Sequence, residues 1–81
     1  MRLDKYLKVS RLIKRRTVAN AVSEMGRVIV NGNPSKPGKQ IKVGDIIEIE
    51  YANRTEKYEV LIVPTGNVSV QDASTLYKNL D

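Results

Sequence analysis

The sequence predicts an α+β fold: two short N-terminal helices packed on a small antiparallel β-sheet, with a short C-terminal helix. Three observations carry this. Apolar residues recur at helical spacing up to Gly26, and after Gly26 they alternate with polar ones. The pairs Asn31-Gly32 and Gly44-Asp45 then stand between the alternating runs, where hairpin turns belong.

The first helix starts at Leu3, with Leu3, Tyr6 and Leu7 on its apolar side and Asp4 in its first turn, where a negative charge suits the helix dipole. Asp4 stands four residues before Lys8, the favourable order for an ion pair; alternatively its carboxylate orients a nearby arginine toward a ligand. Val9, Leu12 and Ile13 carry the apolar thread through a turn. A second helix is expected over residues 16–25, with Val18, Ala19, Val22 and Met25 on one stripe and Gly26 as its stop. Thr17 is the candidate cap, although Asn20 at the third position makes a poor capping box.

Val28, Ile29 and Val30 form a short strand, and residues 33–39, with two prolines and a glycine, read as a loop. Ile47, Ile49 and Tyr51 alternate with Glu48 and Glu50 as a half-buried strand. A further strand spans residues 55–63, with Tyr58, Val60 and Ile62 on one face and Lys57, Glu59 and Leu61 on the other. Residues 68–70 suggest an edge strand, and Asp72 would cap a last helix containing Leu76, Tyr77 and Leu80. This divides the chain into a domain over residues 1–64 and an extension over 65–81.

Charge is segregated. Residues 2–16 carry seven of the fourteen bases (Arg2, Lys5, Lys8, Arg11, Lys14, Arg15 and Arg16) against one acid, Asp4. That segment has a charge of +6, which leaves −1 for the rest of a +5 chain. A nearly neutral body with one cationic end is suited to meeting a polyanion. Lys14, Arg15 and Arg16 also crowd a helix start, where cations oppose the dipole at a cost of a few tenths of a kcal/mol each. Such a breach of a local rule marks a functional place, and bare N–H groups beside three cations suit a phosphate. Lys36 and Lys39 offer a second cationic lobe, or are ordinary surface lysines. The acids Glu48, Glu50, Glu56 and Glu59 lie on the strands, so the sheet is not the phosphate-facing surface.

Other chemistries find little support. With 81 residues there is room for one small domain. The chain has neither Cys nor His, so the serines and Thr17 lack an activating base, and the acids are too dispersed for a metal site. No catalytic residue, metal or cofactor is expected. An apolar run of about 20 residues that could span a membrane is missing, as is the apolar core of a signal peptide, so the expected setting is the cytoplasm. No Trp or Phe is present to build a membrane-surface helix. The second helix has only Asn20, Ser23 and Glu24 as polar groups, which favours backbone and shape recognition of structured RNA over reading DNA bases.

The run RLDKYL, then paired basics followed by Ala19, Gly26 and VIVNG, then SKPGKQIKVGDIIEI, resembles the alpha-L RNA-binding motif, or S-four domain, over residues 1–51. In that family the two helices and the following hairpin present basic residues to structured RNA. The chain is similar to free-standing members that act on large ribosomal subunits still carrying peptidyl-tRNA after a stalled ribosome has split. The resemblance implies binding to rRNA and tRNA, without catalysis, as a monomer beside a tailing factor of the RqcH type that directs alanine tailing. It carries RNA contact onto Arg2, Lys5, Arg11, Arg15 and Arg16, with Arg16 at the most characteristic place. Many members have Ser or Thr where Arg15 stands, so the helix cap is absent or moved to Thr17. General rRNA binding or ribosome assembly is the alternative; from a different class, the chain could be an enzyme subunit or a protein-interaction adaptor using the acidic sheet.

Overall fold

Gly26 is the point at which the chain changes period, and it does so by ending a helix. In a computed structural model, which describes residues 1–65 and 71–80, Gly26 has φ +77°. Its N–H donates to the Ser23 carbonyl (3.0 Å) and the Arg27 N–H to the Val22 carbonyl (3.0 Å), closing helix α2 (Arg16–Glu24) with a Schellman motif. Helix α1 (Leu3–Val9) ends in a related way, but its left-handed residue is Arg11, at φ +62°. The start of α1 is secured by another segment: the Leu3 and Asp4 N–H groups donate to the Lys39 and Pro37 carbonyls, at 2.8 and 3.2 Å. The proline-rich loop therefore satisfies helix N–H groups that would otherwise lack partners.

Strand β1 (Val28–Val30) turns at Asn31-Gly32, with φ of +52° and +84°, into a two-residue strand β2 (Asn33–Pro34). Positive φ at both positions is the signature of the type I′ hairpin. Strands β3 (Ile46–Glu50), β4 (Thr55–Val60) and β5 (Tyr77–Asn79) complete an antiparallel sheet in the order β2-β1-β3-β4-β5. The register pairs Ile47 with Tyr58 and Glu48 with Lys57. Alternation thus sends Val28, Val30, Ile47, Ile49, Tyr58 and Val60 into one core with Leu3, Tyr6, Leu7 and Ala19. Glu48, Glu50 and Glu59 lie on the opposite face of the sheet, turned away from the helices.

Two buried polar groups lock these elements. The Tyr6 hydroxyl donates to the Leu76 carbonyl (2.8 Å), and burial pushes its pKa up, so it stays a donor. Asp45 accepts from Asn31 Nδ2 (3.1 Å) and from the Lys42 N–H (2.8 Å), while Asn31 Oδ1 accepts the Ile46 N–H (2.9 Å). Asn31 therefore both shapes its own turn and fixes the next one.

The structure corrects several expectations. On α2 only Ala19 of the four stripe residues is buried; Val18 and Met25 are exposed, and Ser23 takes the core-facing place by donating to the Ala19 carbonyl. The N-cap of α2 is Arg15, in extended conformation and with no side-chain cap bond, so Thr17 lies inside the first turn and caps nothing. Residues 33 and 34 are strand, not loop, because the tight turn returns them onto β1. Strand β4 ends at Val60, beyond which Leu61 and Ile62 are exposed. The C-terminal helix is only a 3-10 turn, Ala73–Leu76; Tyr77 is strand instead, paired with Val60. The edge strand expected at residues 68–70 lies outside the described residues.

Candidate nucleic-acid interface

The cationic segment is built around its one acid. Asp4 sits in the first turn of α1 with its side chain 3% exposed, facing the start of α2. Its Oδ1 accepts the Lys5 N–H (2.8 Å) and Arg2 Nε (3.2 Å), and Oδ2 accepts Arg2 Nη2 (3.3 Å). From α2, Arg16 reaches the same carboxylate through Nε and Nη2, both at 3.5 Å, and Asn20 Nδ2 lies 3.4 Å from Oδ2. Burial alone would raise the Asp4 pKa, but these donors outweigh it and hold it below the ordinary carboxylate value. The expected Asp4–Lys8 pair does not form: Asp4 points across to α2, not along α1.

Arg2 and Arg16 have side chains 49% and 48% exposed, so each guanidinium has one edge held by Asp4 and another open to solvent. That arrangement fixes two planar, permanently charged forks in advance, which suits phosphate recognition. With Lys5 they line a hollow of about 490 Å³ completed by Met1, Gln40, Pro64 and Thr65. A second hollow, about 330 Å³, lies between the helices and is lined by Asp4, Arg16, Thr17 and Asn20.

Lys8, Arg11, Lys14 and Arg15 are exposed but line neither hollow. Among the described residues, none of them makes a salt bridge, nor does Lys5. Elsewhere the bases are more often neutralised. Lys36 pairs with Glu24 (3.6 Å), Arg54 with Glu56 (3.3 Å) and Lys57 with Glu48 (3.5 Å). Lys39 is exposed, and its carbonyl anchors α1. Sequence reasoning overlooked Asn20, although its place four residues after Arg16 on α2 puts both on one helix face. Among the described residues no group of three or more acids could hold a metal ion.

Residues 1–47 match the family model of the S4 domain. The chain belongs to the S4 domain family. Its relatives in that family include proteins named RQC P-site tRNA stabilizing factor. The one from Halalkalibacterium halodurans is 50% identical over 78 residues, covering 96% of this chain and 88% of the relative. The one from Listeria monocytogenes is 51% identical over 79 residues, covering 95% and 83%. A heat shock protein 15 homolog from Aeromonas salmonicida is 35% identical over the whole chain, which spans 61% of that longer relative. The fold of this S4 domain protein matches a trimeric structure of heat shock protein 15 from Vibrio cholerae, with TM-score 0.88, 28% identity and coverage of 98% and 80%. It also matches the solution structure of HP1423, with TM-score 0.85, 34% identity and coverage of 100% and 98%.

Proposed function

We propose that this protein is a non-catalytic, monomeric RNA-binding factor of ribosome-associated quality control, which binds large ribosomal subunits obstructed by peptidyl-tRNA. Arg2 and Arg16 grip RNA phosphates, and the unpaired cations Lys5, Lys8, Arg11, Lys14 and Arg15 draw the polyanion onto the same end. In this reading the protein contacts rRNA and the P-site tRNA together and steadies that tRNA while an RqcH-type factor extends the stalled chain with alanine. The observation that carries RNA binding is the buried Asp4 carboxylate holding two half-exposed arginines from separate elements. The choice of ribosomal target rests on relatives about half identical whose name is RQC P-site tRNA stabilizing factor.

The test is co-sedimentation with isolated large subunits, with and without peptidyl-tRNA. The proposal requires preference for the occupied subunit. Equal binding to both, with a preference for immature particles, would instead make the protein an assembly factor using the same RNA face.

A further inference from the structure

The hollow between α1 and α2 contains a polar arrangement that phosphate binding does not use. Asp4 is acceptor-only, so the Asn20 amide must turn its NH2 toward it, as the 3.4 Å Nδ2–Oδ2 contact shows. The Asn20 carbonyl oxygen then has no protein partner among the described residues, and neither has the Thr17 hydroxyl one helical turn earlier. Thr17 is exposed and Asn20 half-buried with no unpartnered atom shut off from solvent, so both groups are open to an incoming ligand. Phosphate, which only accepts, would be repelled by the Asn20 carbonyl and by the carboxylate beneath it. What fits beside Arg16 is a group that can donate to Asn20 Oδ1 and accept from Thr17 Oγ1. A hydroxyl does both.

We propose that Thr17 and Asn20 form a ribose-reading subsite, in which a 2′-hydroxyl donates to Asn20 Oδ1 and accepts from the Thr17 hydroxyl while Arg16 holds an adjacent phosphate. This rests on the RNA-binding reading above and adds to it a means of telling RNA from DNA. A base amino group could also donate to Asn20, but it would leave affinity unchanged when only the sugar is altered.

The experiment measures binding of the full chain to a synthetic tRNA stem–loop and to the same stem–loop with every 2′-hydroxyl replaced by fluorine, which keeps the helix form but cannot donate. Wild type should bind the ribose form about ten-fold more tightly, the equivalent of one lost hydrogen bond of about 1.4 kcal/mol. Carbon-bound fluorine is also a poor acceptor, so the fluorinated form loses the Thr17 bond as well, and Asn20→Ala and Thr17→Val should each bring that ratio to within about three-fold of unity, with melting temperatures near wild type. Thr17→Val leaves every Asp4 contact in place, so its result does not depend on Arg16 staying ordered. Equal affinity of wild type for both forms, or variants that lose affinity but keep the ratio, would overturn the subsite and leave the RNA-binding reading standing. If wild type binds neither form, the RNA-binding reading falls and the subsite with it.

Discussion

Removing Asp4 takes away the only acid among residues 2–16, and by Coulomb's law alone that should strengthen attraction to RNA. The geometry argues the reverse, because the same carboxylate fixes Arg2 and Arg16 through charge-assisted bonds. Asp4→Asn should therefore weaken RNA binding by about ten-fold, the scale of one such bond; a fluorescence anisotropy titration that showed tighter binding would refute the positioning role. A pH signature accompanies it. Since the Asp4 pKa is lowered on folding from its ordinary 3.8, its contribution to stability is present above that value and lost as pH falls through the native one. Wild type should melt above Asp4→Asn at about pH 7, and the gap should narrow as the pH is taken progressively below 3.8. The bases of this site were legible as charge density, and Asp4 as an orienting acid was one of two readings. That Arg2, Arg16 and Asn20 converge on it was not legible, because convergence depends on how α1 packs against α2.

Among the elements, the hairpin between β1 and β2 makes the sharpest demand on a residue type. Nothing lies within 4 Å of a Cβ built on Gly32, so the cost of a side chain there is its backbone conformation at φ +84°, not a clash. Gly32→Val should lose about 1 to 2 kcal/mol, which lowers the melting temperature by several degrees. RNA affinity per folded molecule should hold, and a variant that keeps its melting temperature but loses RNA would make the turn a contact site. Tyr6→Phe should cost about 0.5 to 1.5 kcal/mol, the net value of one hydrogen bond, since the Leu76 carbonyl still accepts the Leu61 and Ile62 N–H groups. Calorimetry checks this. Gly26 and Asn31-Gly32 punctuate the chain strongly enough that α2, β1 and the turn could be read from sequence. Strands β2 and β5 could not, since each is short and exists because a neighbour pairs with it: Pro34 looks like a breaker, and Tyr77 is recruited by Val60.

Across the whole molecule, the proposed function requires the cationic end and the sheet face carrying Glu48, Glu50 and Glu59 to lie apart. Glu48→Lys with Glu50→Lys alters the face turned away from the helices and loses one half-exposed pair, Glu48–Lys57, so RNA affinity should stay level or rise slightly. Abolished binding in a filter assay would mean that the faces are assigned the wrong way round. Binding should also be steeply salt-dependent, with a log-log slope of about −0.7 to −0.9 per phosphate, hence beyond about −3 for four or more contacts. The most direct test of the arginine site combines melting temperature with binding to large subunits carrying peptidyl-tRNA, for wild type and Arg16→Ala. Two small terms nearly cancel in this variant: a cation is removed from a helix start, and a half-exposed pair to Asp4 is lost while Arg2, Asn20 and the Lys5 N–H still satisfy the carboxylate. Arg16→Ala should melt within about 2 °C of wild type, release from the subunit and shallow the salt slope by about one unit. A protein that melts well below wild type while its folded fraction still binds the subunit normally would make Arg16 a structural residue and contradict the account.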